Sequence, residues 1–175
     1  MLEPFTPTDE TVVAAQLGRV PRGVIGVAHR CPCGKPVVLA TEPRLPDGTP
    51  FPTTYYLTCP RAVAAASRLE STGRMAELTD RLATDADLAA RYRAAHESYL
   101  ADRAALGAEV PEIAQVSAGG MPDRVKCLHA LSAHALAAGP GVNPIGDEAV
   151  AEMGEFWKPP CLPGFDPDHD HQETT

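Results

Sequence analysis

Val24-Ile25-Gly26-Val27-Ala28-His29-Arg30-Cys31-Pro32-Cys33-Gly34-Lys35-Pro36-Val37-Val38-Leu39-Ala40 places two short β-rich runs on either side of a Cys-Pro-Cys-Gly-Lys-Pro turn. Apolar runs of this length bounded by Gly and Pro read as strands, and a tight turn between them makes antiparallel pairing the economical arrangement. A loop with Pro43, Pro46, Asp47-Gly48, Pro50 and Pro52 leads to a third run, Thr53 to Thr58. Upstream, Asp9 to Gly18 reads as a helix with Thr8 as N-cap and Val12, Val13, Ala15 and Leu17 on a mostly apolar face.

Downstream the pattern turns helical. Pro60 suits the first position of a helix, where its missing N–H costs nothing, and Gly73 suits its C-terminal stop. A short helix over Met75 to Leu82 precedes a longer one, capped by Thr84 and reaching Leu106, with Leu88, Tyr92, Tyr99 and Leu106 on one face. Val110 to Ser117 is weakly patterned. Pro122 to Ala138 reads as an amphipathic helix stopped by Gly139-Pro140-Gly141, and Gly146 to Trp157 as the last one. The predicted fold is α+β, mostly helical, with a small antiparallel three-stranded sheet in the N-terminal third. Residues 1–157 are expected to form one globular domain and 158–175 a disordered acidic Pro/His tail.

Charge narrows the function classes. The net charge is −8, and residues 119–175 carry nine acidic against three basic side chains. Such a chain lacks the basic stripe that binding to nucleic acid requires. The sequence has no run long enough to span a membrane and begins on Met1-Leu2-Glu3-Pro4, unlike a signal peptide, so no membrane insertion and a cytoplasmic location are expected. Five cysteines in that compartment read as reduced thiols rather than a disulfide framework.

Cysteine placement is the strongest chemical signal. Cys31 and Cys33 lie in the turn between two strands, where metal-binding knuckles form, although Cys-x-Cys is less specific than Cys-x-x-Cys. Cys59 stands at a helix mouth, where unpaired N–H groups and the dipole favour a thiolate. If Pro122–Ala138 is helical throughout, Arg124, Cys127, Leu131 and His134 share a stripe, which makes His134 a better partner for Cys127 than His129. Cys31, Cys59, Cys127 and His134 would then give a sulfur-rich tetrahedral set suited to zinc. Buried thiols that only pack, a catalytic cysteine and an iron–sulfur cluster are the alternatives.

A second signal is an anion site for a small phosphorylated or carboxylate ligand. Gly119-Gly120 is expected to run into a helix N-terminus, with Arg124 and Lys126 following. The same residues also fit a glycine loop whose arginine pairs with a carboxylate. Asn143 and Asp147 in Asn-Pro-x-Gly-Asp fit a turn and a helix cap, or a pocket wall. Asp168-His169-Asp170-His171 could hold a divalent metal loosely or form part of the acidic tail.

Several longer words carry a family resemblance: Arg30-Cys31, Pro50-Phe51-Pro52-Thr53-Thr54-Tyr55-Tyr56-Leu57-Thr58-Cys59-Pro60, Arg68-Leu69-Glu70-x-x-Gly73, Arg124-Val125-Lys126-Cys127-Leu128-His129 and Ala133-His134. Over residues 20–147 the chain resembles the bacterial, mainly actinobacterial, family filed as domain of unknown function 501. The resemblance implies no established activity. It implies Cys31, Cys59, Cys127, His129 and His134 as family features, with Cys33 and Cys161 particular to sequences like this one. Members are often encoded beside a septum-formation initiator and an exopolyphosphatase-like protein, which adds a cell-division-linked interaction role as a third reading beside the metal and anion sites.

Overall fold

The strands form where the apolar runs are densest. In a computed structural model that describes residues 2–165, β1 (Val24–Arg30), β2 (Pro36–Thr41) and β3 (Tyr55–Leu57) make one antiparallel sheet in the order β1-β2-β3. Val27 pairs with Leu39 and Val38 with Leu57. All six residues of the central strand β2 are buried, as expected of a strand flanked on both edges. The β1–β2 turn closes through Cys31 N–H to Lys35 O (2.9 Å) and Gly34 N–H to Cys31 O (2.8 Å), with Gly34 at φ +83°. That left-handed conformation favours glycine.

Helix α1 (Pro7–Leu17) starts two residues earlier than the sequence suggests. Thr6 and Asp9 form a reciprocal capping box, and Pro7 takes the first helical position, so Thr6 displaces Thr8 as the cap. Arg30 then grips Asp9 with two hydrogen bonds (2.7 and 3.0 Å) and also reaches Gly34 O at 3.0 Å, fastening α1 to the β1–β2 turn.

Helix α2 (Pro60–Glu70) begins at Pro60 with Cys59 as its N-cap residue. Gly73 belongs to the next helix rather than to the end of α2: at φ 81° it caps α3 (Arg74–Thr84). Asp85, whose carboxylate accepts from Leu88 N–H at 2.9 Å, replaces Thr84 as the cap of α4 (Ala86–Leu106). A single 3-10 turn at Pro111–Ile113 interrupts the segment after α4.

The largest departure from the sequence reading lies between residues 119 and 127. Helix α5 spans Leu128–Ala138, not Pro122–Ala138. Gly119 O accepts from the N–H groups of both Lys126 (2.7 Å) and Cys127 (3.3 Å), and Gly120 O accepts from Arg124 (3.1 Å), so this stretch folds back as a loop. The two glycines are required by close packing: a Cβ on Gly119 would sit 2.5 Å from Leu131 Cδ2, and one on Gly120 would sit 2.7 Å from Arg124 O.

Helix α6 (Pro144–Met153) lies against α5. A Cβ on Gly146 would be 2.3 Å from Leu131 O, which shows how closely the two backbones approach. Helix α5 is the hub of the core, packing on α2, α6 and β3, and Leu128, Leu131, Ala133 and His134 are fully buried. The Pro-rich loop before β3 is strapped to α4 by the buried Arg103, which donates to Pro52 O (2.7 Å), Ile113 O (2.8 Å) and Thr54 Oγ1 (3.2 Å). Residues 158–165, assigned by sequence to the tail, reach the body of the protein: Cys161 is buried and Arg61 Nε donates to Pro160 O at 3.4 Å. The rest of that tail, with Asp168-His169-Asp170-His171, lies outside the described residues. No helix among the described residues is long and apolar enough to cross a membrane.

Candidate metal centre

Helix α2 ends on Glu70, a place where the helix dipole disfavours negative charge. The carboxylate is offset by what it meets. Its Oε1 accepts from the N–H of Leu128, the first residue of α5, at 2.7 Å. Cys127 occupies the N-cap position of α5 but makes no cap hydrogen bond with its own side chain, so Glu70 caps α5 from a neighbouring helix.

His129, in the first turn of α5, comes to the same oxygen. Its Nδ1 is 3.0 Å from Glu70 Oε1 and 4.0 Å from Cys127 Sγ. On the other side of the ring, Nε2 is 3.2 Å from the carbonyl of Val63 and 3.1 Å from Ser67 Oγ, both on α2. A carbonyl can only accept, so Nε2 carries a hydrogen and Nδ1 faces the carboxylate and the sulfur. One ligand atom from each of Glu70, Cys127 and His129 can be chosen so that all lie within 4.8 Å of one another, and all three residues are half-buried.

Nδ1 facing a carboxylate oxygen at 3.0 Å is satisfied by a proton or by a metal ion held between them. A proton on Nδ1 is one solution: the Cys127 side chain first, and Glu70 after it, push the His129 pKa up to about 9 against the opposing effect of burial. A divalent metal is the other. Thiolate, imidazole and carboxylate are each ordinary zinc donors, and three protein ligands leave a fourth position open. The grip of Val63 and Ser67 on Nε2 supplies the outer-shell contact that aims a metal-binding histidine.

The four-residue set expected from the sequence does not assemble. Because residues 122–127 are not helical, the spacing that aligned Cys127 with His134 does not apply, and Cys127 meets His129 instead. His134 is a core residue: its Nδ1 is 3.2 Å from Asn143 Nδ2, and its ring stacks on Tyr55 and meets the edge of Tyr99. Asn143 Oδ1 accepts from Gly146 N–H, which turns the amide nitrogen toward His134, and burial pushes the His134 pKa down to about 4. Asn143 is thus a helix cap and core partner, while Asp147 holds Gly141 N–H at 2.8 Å, so both serve the turn.

The anion site loses its geometric basis. Gly119-Gly120 does not enter a helix, and the exposed Arg124 and Lys126 side chains follow a loop whose carbonyls are occupied by its own N–H groups. Cys31 and Cys59 do come together, but at the opposite end of α2 from Glu70, with Cys33 and Cys161 as their companions. Glu70 and Ser67 were missed by sequence reasoning. The available signal was a carboxylate in the last turn of a helix, which needs a tertiary partner to be tolerated.

No curated protein and no solved structure matches the chain. A family model does, over residues 27–151, a span that contains Glu70, Cys127 and His129. The chain belongs to the family described as Protein of unknown function (DUF501).

Proposed function

We propose that Glu70, Cys127 and His129 bind a divalent metal, most naturally zinc, with one coordination position open to a ligand or a water. The observation that carries the reading is the orientation of His129: a backbone carbonyl holds Nε2, and Nδ1 is presented to a carboxylate oxygen at 3.0 Å and a sulfur at 4.0 Å. Half-burial at the junction of two helices keeps the site reachable from solvent. A metal with an open position can polarise a carbonyl or lower the pKa of a bound water, which is the chemistry such a centre would supply.

The test is zinc binding to untagged protein in competition with a chromogenic chelator. Cys127→Ser and His129→Ala are each expected to weaken binding at this site about 100-fold or more, beyond the 10–100-fold typical of outer-shell changes. Glu70→Gln keeps an oxygen for the Leu128 N–H and loses only the charge, so it separates metal binding from helix capping. Unchanged zinc affinity in the Cys127→Ser, His129→Ala double variant overturns the proposal.

One observation favours a second reading: Cys127 stands at a helix N-terminus beside an imidazole, the setting of a reactive thiolate. Fast alkylation of Cys127 that zinc does not slow would assign the site to a nucleophile.

A further inference from the structure

Four of the five cysteines approach one another at the tip of the β1–β2 hairpin, and backbone geometry brings them there independently of any thiol chemistry. Cys31 and Cys33 flank the tight turn closed by Cys31 N–H to Lys35 O and Gly34 N–H to Cys31 O. The β2–β3 register, with Val38 opposite Leu57 and Thr58 N–H donating to Val37 O at 2.8 Å, carries Cys59 alongside Pro36 at the foot of the same turn. Gln16 of α1 then donates to Pro36 O at 2.9 Å and lies 3.9 Å from Cys161 Sγ, while Arg61 Nε holds Pro160 O. Three separate chain segments therefore meet at Pro36, and each brings a cysteine.

The side chains continue the pattern. Cys31 interacts with Cys33, Cys33 with Cys161, and Cys161 with Cys59, while Cys31 and Cys59 are close enough to sense each other's charge. All four thiols are free. Cys31, Cys59 and Cys161 are buried in one core cluster, and Cys33 is the exposed member of the four.

We propose that Cys31, Cys33, Cys59 and Cys161 form a structural tetrathiolate zinc site that clamps the C-terminal segment to the β-hairpin and to the start of α2. Binding is balanced as one Zn2+ and four thiols giving a ZnS4 centre of charge −2 and four released protons. Tetrahedral zinc sets sulfur–sulfur distances at about 3.8 Å. The ring is wider than that, since Glu70–Cys127–His129 is the grouping of three or more ligands within 4.8 Å among the described residues. Metal binding therefore draws the four sulfurs inward.

Cys33 makes the test decisive because it is the exposed member, whereas Cys31, Cys59 and Cys161 are buried. Untagged full-length protein is purified under reducing conditions, and its metal content and the alkylation rate of each thiol are measured by mass spectrometry, with and without a strong zinc chelator. In the Cys127→Ser, His129→Ala variant, which lacks the ligands proposed at Glu70, one zinc in an all-sulfur environment by X-ray absorption is expected. Cys33 should alkylate at least about tenfold faster once the chelator is added, because a ligated thiolate is shielded and a free exposed one is not. Cys33→Ser and Cys161→Ser should each lose this zinc, and Cys127→Ser should keep it, which separates the site from the one at Glu70. Cys33 alkylating at the rate of an exposed thiol regardless of chelator, or all-sulfur zinc surviving in the Cys33→Ser, Cys161→Ser double variant, overturns the proposal. Protection of Cys33 relieved by a reductant but not by a chelator also overturns it, in favour of a disulfide.

Discussion

The two ends of helix α2 make opposite kinds of site from the same ingredient, a cysteine at a helix N-terminus. At Cys59 the thiol is buried and its neighbours are other thiols from two further chain segments. At Cys127, beside Glu70 at the far end of α2, the thiol is half-exposed and its neighbours are one imidazole and one carboxylate. An all-sulfur set closes a coordination sphere and fastens chain segments, whereas a mixed set of three leaves a position for chemistry. What distinguishes the ends is how many segments converge, not the local sequence around either cysteine.

Experiments can break this contrast. The largest effect is expected at the closed end: Cys59→Ser removes a ligand and exposes the union of hairpin, α2 and C-terminal segment. If that union is worth about 4 kcal/mol, Tm falls by roughly 8–16 °C for a chain of this size. Thermal unfolding with and without chelator checks it, and a chelator that leaves wild-type Tm unchanged would put the two ends on an equal footing.

Arg103 lies away from both ends and calibrates a purely structural loss. Arg103→Ala removes two hydrogen bonds to the loop before β3 and one to Ile113 O in the 3-10 turn, at a cost of about 3 kcal/mol. Denaturant unfolding should show that loss with metal content untouched; a fall in bound zinc would mean the loop reaches further than its contacts indicate.

His134 gives a pH signature distinct from His129 on the same helix. Its pKa in the folded protein is pushed down to about 4 by burial, so the unfolded chain takes up a proton near pH 6.5 that the native state refuses. Stability is therefore lost as pH falls from about 6.5 to 4, by up to about 3 kcal/mol. His134→Gln should flatten that part of the stability curve, and an unaltered slope would assign it to other groups.

The smallest effect separates capping from ligation at the open end. Glu70→Ala should cost about 1 kcal/mol through the lost cap on Leu128, and Glu70→Gln only a few tenths. Equal destabilisation by both, read from urea midpoints, would show that charge rather than the hydrogen bond supports α5.

Much of the frame is legible in the sequence because local signals and tertiary demands agree there. Val37-Val38-Leu39 between Pro36 and the loop reads as a buried strand, and Cys59-Pro60 reads as a helix start; both are observed. Residues 119–127 mislead because Val125 and Leu128 continue a helical pattern that Gly119 O breaks by taking the N–H groups of Lys126 and Cys127. The error passes directly into chemistry, replacing His129 by His134 and inventing a helix mouth at Gly120. Cys161 hides for a different reason. Pro159, Pro160 and Pro163 give its surroundings the composition of a disordered tail, and only the approach of Gln16 and Arg61 from distant helices shows otherwise.

Glu70 also couples surface to core. One of its oxygens holds the first amide of α5, the helix around which the core is built, and the same oxygen lies 3.0 Å from His129 Nδ1 at the proposed metal site. A metal bound at the proposed site would take up the carboxylate that now holds Leu128 N–H, and the change would pass along a single hydrogen bond to Leu128, which is fully buried. The exchange rate of the Leu128 amide with deuterium thus serves as an internal gauge of ligand loading, readable without knowing what the ligand is.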